Sequence, residues 1–234
     1  MPVATEGLHR YLSAMTHRLA SETDLDRGLA HLVTADPRLA QVLAVAGRPP
    51  LRRRPAGFPG LVATMIGQQL STASANAIWS RLAAAYDPFA PEALRRARSA
   101  RLKQVGLSEG KIRALKLLAA ALANGELDLD ALETMDADAA HRALVAMHGI
   151  GPWTADSYLL FCLGHADAWP AGDLALREAL RLAFALDERP SIKAMVPLAE
   201  PWRPWRGVAA LLLWSYYRAV KRRDPTLIQS PIQA

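Results

Sequence analysis

Residues 144–156 read Leu-Val-Ala-Met-His-Gly-Ile-Gly-Pro-Trp-Thr-Ala-Asp. A helical stretch runs into this segment and ends near Met147. Gly149 and Gly151 then bracket one apolar residue, Ile150. Pro152 stands where a second helix can open, because a first-turn residue has no intrahelical use for the N–H that proline lacks. Both glycines can take positive φ and admit close backbone approach. The segment predicts two helices, spanning about 137–163, joined by a tight bend that Ile150 plugs. Amides at the start of the second helix then point outward, toward an anion. An ordinary αα-hairpin with a glycine cap uses the same Gly-x-Gly, so the bend alone does not fix a function.

Working outward from the hairpin, helical periodicity recurs. In 111–122, Ile112, Leu115, Leu118, Ala119 and Leu122 share one face that Lys111, Arg113 and Lys116 avoid. Similar stripes cover 24–33, 59–67, 73–85, 137–146, 153–163, 173–185 and 206–220. Asp36-Pro37, Pro49-Pro50, Asp87-Pro88, Asn124-Gly125, Gly164 and Arg189-Pro190 separate them. Ser71, Ser108 and Asp136 are N-cap candidates. Strand-like alternation is missing, so the expected fold is all-α, with roughly ten short helices. Arg48 to Pro59, rich in Pro and Arg, reads as a linker, and a second change comes near Trp169 to Gly172. The tail after Arg223 is expected to be loosely held.

Composition narrows the chemistry. The 234 residues carry a net charge of +6, which suits a polyanionic partner. No apolar run is long enough to span a bilayer, and Met1 to Ala20 shows no signal-peptide pattern. A cytoplasmic protein is the expectation, associated with the nucleoid in a bacterium, and a monomer. One cysteine, Cys162, excludes an internal disulfide and a four-cysteine iron–sulfur or zinc site. The six histidines show no paired metal-ligand spacing.

Past the hairpin, Trp169-Pro-Ala-Gly-Asp173-Leu-Ala-Leu-Arg177 places a carboxylate at the start of an apolar helix. The helix dipole favours a negative charge there. Local sequence leaves two readings for Asp173, a helix cap and a catalytic carboxylate. Arg177, four residues on, is spaced to keep Asp173 ionised, or to contact a phosphate. Asp156 and Asp167 are read as structural.

The hairpin, the Pro/Gly-Asp173 stretch and a third segment, Phe58-Pro-Gly-Leu-Val-Ala-Thr-Met-Ile-Gly-Gln-Gln-Leu-Ser71, together resemble the helix-hairpin-helix DNA glycosylase superfamily. The resemblance runs from about Phe58 to Arg218 and is strongest for the alkylpurine branch, the DNA-3-methyladenine glycosylase II type. It implies two helical subdomains with the active site in the cleft between them. One would span 58–170; the other would join 1–57 to 171–234. Duplex DNA containing damaged bases would be the partner. The hairpin backbone at Gly149, Ile150 and Gly151 would meet a phosphate. The main-chain carbonyls of Val145, Met147 and Ile150 would hold a Na+ or K+ ion, with no other cofactor.

The resemblance also implies roles for side chains. Asp173 would be the essential carboxylate. Trp153 and Trp214 would wall the flipped base, with Tyr158 and Tyr217 as weaker candidates. Gln69, or else Leu70, would fill the gap left in the base stack. In lyase-competent relatives a lysine follows the hairpin; Trp153 stands at that position and cannot form a Schiff base. A monofunctional enzyme that excises 3-methyladenine- and 7-methylguanine-type bases and leaves an abasic site is therefore expected. Two alternatives stay open at this point: another lesion, such as uracil or a mismatched base, and a non-catalytic DNA-binding hairpin module.

Overall fold

The computed structural model describes residues 17–223. Among them there is no β-strand. Helices lie where the periodicity puts them; two more form at Arg38–Ala46 and Ile192–Ala199, and shorter ones at Pro91–Arg96, Ser99–Gln104 and Ala131–Thr134 add to the expected set. These last are too brief for a 3.6-residue pattern to register. Ser71, Ser108 and Asp136 all cap, their side chains accepting the amides of Ser74, Lys111 and Ala139. No helix of the described residues is long and apolar enough to cross a membrane.

The described chain divides into two compact units, one of Arg53–His165 and one of His17–Arg52 with 166–223. The first therefore takes in 53–57, which the sequence had grouped with the linker and the N-terminal segment. The cause is local: the Arg54 amide donates to Phe161 O at 2.8 Å and Arg53 Nη2 to Cys162 O at 3.0 Å. Residues 166–170 go to the second unit, where Ala166 N–H bonds His17 O and Gly207 N–H bonds Ala166 O. The expectation for the tail after Arg223 concerns residues outside those described.

In the first unit, the helices Gly57–Ile66, Glu109–Ala123, Ala137–Val145 and Pro152–Tyr158 bury Leu61, Ile66, Leu115, Leu118, Leu144 and Tyr158 together. Gly60 permits one tight crossing, since a Cβ there would lie 1.9 Å from Pro55 O. The helix after the hairpin bend runs on as a π-helical turn, Leu159–Leu163, and stops at Gly164, whose φ is 75°. A rim of rings closes the unit: Phe58 stacks on Phe89 at 5.4 Å, and Trp79 meets Phe89 edge-on at 5.0 Å.

In the second unit the long helix Arg206–Arg223 packs against both Leu174–Ala183 and Arg38–Ala46. Gly28, in the helix Glu22–Ala35, lets Trp205 and Val208 come closer than a Cβ would allow. Trp202 is fully buried, edge-on to Trp169 and Phe184, and donates its indole N–H to Asp36 at 3.1 Å. Asp167 is clasped by Arg206 and Arg203, which fixes it as a structural carboxylate.

Trp202 is the largest fully buried side chain. Trp202→Ala should lower the unfolding free energy by about 3–5 kcal/mol, read as a shift in urea midpoint. An unchanged midpoint would contradict this account of the second unit.

Candidate active site

Asp173 is the N-cap of the helix Leu174–Ala183, at φ −69° and ψ 122°. Its Oδ1 accepts the Leu176 amide at 2.8 Å and the Trp214 indole N–H at 3.0 Å. The helix start and the middle of Arg206–Arg223 thus converge on one carboxylate, which stays partly exposed. The cap reading of Asp173 holds, and the capping carboxylate remains partly exposed. Trp214 is half-buried. The sequence assigned its ring to a wall; the structure adds that its N–H orients the carboxylate. Leu174, 39% exposed, lays an apolar surface beside it.

Arg177 does not turn back on Asp173, contrary to the i,i+4 expectation. Its Nε donates to Pro190 O at 2.8 Å, because the loop carbonyl lies closer to its path than the cap does. Tyr217, half-buried one turn beyond Trp214, has Lys221 Nζ 5.9 Å from its ring centre.

In the first unit the hairpin forms as expected, between Ala137–Val145 and Pro152–Tyr158. Of its two glycines only Gly149 has positive φ, 84°; Gly151 sits at −83° in extended backbone. Gly149 is needed for space as well, since a Cβ would lie 2.4 Å from that of Ala114. Beside Gly151 there is open space, and a Cβ there would meet nothing. Ile150 is 3% exposed and fills the bend; any contact it offers outward is through its backbone. The Met147 carbonyl already accepts the Ile150 amide at 3.1 Å, which leaves one lone pair of that oxygen for an ion. Among the described residues no group of His, Cys, Asp or Glu could hold a metal.

Trp153 is half-buried at the start of the second hairpin helix. Tyr158 is a correction. It has no exposed surface and its hydroxyl donates to Gly57 O at 3.4 Å, so it cannot stack on a base. It lies on the inward stripe with Ala155, Leu159 and Cys162, all fully buried.

Gln69 adopts φ 56°, one of two positive-φ non-glycine residues described. That conformation costs an ordinary side chain about 1–2 kcal/mol. It thrusts Gln69 and Leu70, the latter 40% exposed, out of the turn after Gly57–Ile66. Two residues the sequence did not single out hold this turn. Gln68 Nε2 donates to Thr154 Oγ1 at 2.6 Å and Gly149 O at 3.2 Å. Lys111 Nζ donates to Ile66 O at 2.6 Å and Gln68 O at 2.9 Å. Burial pushes the Lys111 ammonium below its ordinary pKa.

A half-buried His–Asp pair braces the hairpin. His141 Nδ1 lies 2.7 Å from Asp156, and this bond, ahead of burial that opposes it, raises the His141 pKa. A raised folded pKa means stabilisation that is complete below the unfolded value of about 6.5 and is lost as pH rises through the folded value. Wild type should therefore lose more Tm than His141→Gln between about pH 6 and pH 8.5. Parallel Tm-versus-pH curves for the two proteins would show that the pair contributes nothing.

Comparison with known proteins gives this arrangement a context. Residues 62–204 match the HhH-GPD superfamily base excision DNA repair protein family. A DNA-3-methyladenine glycosidase from Bacillus halodurans superposes with a TM-score of 0.76 at 29% identity, covering 91% of this chain and 96% of that one. The 3-methyladenine DNA glycosylase Mag1 of Schizosaccharomyces pombe, solved with abasic DNA, gives 0.71 at 27% identity, over 80% and 95% of the two chains. A Bacillus subtilis relative, YfjP, is 34% identical over 93 residues, which are 40% of this chain and 32% of that protein. With the family's pattern matched across more than half its length, the chain belongs to the HhH-GPD superfamily of base excision DNA repair proteins.

Proposed function

We propose that the chain is a monofunctional DNA glycosylase that excises alkylated purines from duplex DNA and leaves an abasic site. The observation that carries this reading is the Asp173 carboxylate, fixed at a helix start by the Leu176 amide and the Trp214 indole. The Bacillus halodurans and Schizosaccharomyces pombe relatives, named for 3-methyladenine, support the substrate class.

The chemistry asks for a single negative charge. A purine alkylated at N3 or N7 carries positive charge. When its bond to C1′ breaks, the electron pair goes to the base, which departs neutral and needs no general acid. Positive charge then develops on the sugar as an oxocarbenium ion. Asp173 stabilises that charge, and water adds to C1′ and gives up a proton. Trp214 has two tasks: its N–H orients Asp173, and its indole face attracts a cationic base by about 0.5–2 kcal/mol. Trp153 is assigned the same stacking role. Most selectivity then comes from the greater reactivity of the leaving group and from the easier extrusion of weakened pairs.

The hairpin is assigned the grip on the DNA backbone, through the amides about Gly149 to Gly151, with Arg177 at most a peripheral contact. The carbonyls of Val145, Met147 and Ile150 would hold a monovalent cation, which adds positive charge facing a phosphate. Gln69 is assigned as the wedge that fills the emptied stack, with Leu70 beside it.

Incubation with methylated duplex DNA should release 3-methyladenine and 7-methylguanine, identified by chromatography. Asp173→Asn should slow release by at least about a hundredfold while leaving duplex affinity nearly unchanged. No release by wild type, or undiminished release by the variant, would end this reading. Borohydride should trap no wild-type protein on DNA, because Trp153 offers no amine, and a trapped adduct would overturn the monofunctional assignment.

A further inference from the structure

Three polar groups meet behind the exposed Gln69 turn. The helix Gly57–Ile66 ends there: Gly67 N–H bonds Ala63 O and Gln68 N–H bonds Met65 O, while Ile66 O takes its bond from Lys111. The turn is not closely packed on every side. A cavity of about 120 Å³, lined by Met65, Gln68, Lys111, Ala114 and His148 among others, lies against it. What fixes it is Lys111, reaching from the first turn of Glu109–Ala123 to Ile66 O and Gln68 O, on either side of Gly67. A cation at a helix C-terminus is favoured by the dipole, and two charge-assisted bonds give it a fixed position. Gln68 then carries the same restraint to the hairpin through Gly149 O and Thr154 Oγ1. Gly149 in turn sits on Ala114, one helical turn from Lys111. The turn, the hairpin bend and one helix therefore form a closed circuit within a single compact unit, and the strained residue Gln69 projects outward from it with Leu70 beside it.

We infer that Lys111 is a positioning residue for base extrusion: it holds the Gln69 turn rigid and in register with the hairpin, so that the wedge enters the duplex at a fixed distance from the gripped phosphate. The inference rests on the assignment of Gln69 and Leu70 as the wedge. Lys111 touches neither the base nor the sugar in this account. Its effect is confined to opening the stack, and the chemical step does not depend on it.

The test uses the full chain and an oligonucleotide duplex with one 7-methylguanine, placed either opposite cytosine or opposite an abasic site. In the second duplex little pairing opposes extrusion. Lys111→Met should slow single-turnover release from the paired lesion about tenfold or more and leave release from the unopposed lesion within about threefold of wild type. Lys111→Arg, which keeps a cation able to reach both carbonyls, should recover most of the loss. An equal loss on both duplexes, or no loss on either, would overturn the inference. The wedge assignment has its own readout, the double variant Gln69→Ala/Leu70→Ala on the paired duplex. Full activity of that variant would overturn the wedge assignment and the Lys111 role with it. A slow double variant beside an active Lys111→Met would overturn the Lys111 role alone.

Discussion

One carboxylate oxygen receives two N–H groups from two helices, and the rest of the second unit is arranged to keep it so. The Leu176 amide reaches Asp173 because Asp173 is a helix cap; the Trp214 indole reaches it because Arg206–Arg223 packs along Leu174–Ala183. Two donors on one oxygen orient the carboxylate. A side chain tethered in this way cannot collapse into the helix or rotate into solvent. Gly28, which admits Trp205 and Val208, and the Arg206–Asp167 clasp anchor the start of the long helix.

The first unit solves a different problem with similar means. Its hairpin places the backbone of Gly149 and Gly151 at the surface. Gly149 is there for φ and for its contact with Ala114, and Ile150 for filling. Polar restraint then extends from the hairpin through Gln68 and Lys111 to the exposed Gln69. Each unit thus presents a rigid projection whose position depends on buried or half-buried partners, as a site must if its geometry is to be set before substrate arrives.

Much of this was legible in the sequence where the signal is local. Ser71, Ser108 and Asp136 declared their caps, the Gly-Ile-Gly-Pro run declared its bend, and Asp173 stood out after Pro and Gly. What depends on contacts between distant residues was not. Trp214 and Asp173 are 41 positions apart, and nothing in either neighbourhood announces a hydrogen bond between them. Lys111 read as a solvent-facing charge because periodicity marks only the apolar stripe; its carbonyl partners lie more than 40 positions upstream. Tyr158 was misjudged for the converse reason. The family resemblance offered it as a weaker pocket candidate, whereas its register with Ala155, Leu159 and Cys162 already placed it inward. Arg177 shows the limit of i,i+4 reasoning, since a loop carbonyl at Pro190 outcompetes the spaced carboxylate.

The decisive measurement concerns charge at the sugar. Duplexes carrying an abasic analogue can be made with a protonated pyrrolidine ring or with neutral tetrahydrofuran in place of deoxyribose. By fluorescence anisotropy, wild type should bind the cationic analogue about a hundredfold more tightly than the neutral one, and Asp173→Asn should lose that preference while binding the neutral duplex as before. A preference that survives the substitution would mean that the positive sugar is met by some group other than Asp173, contrary to the account given.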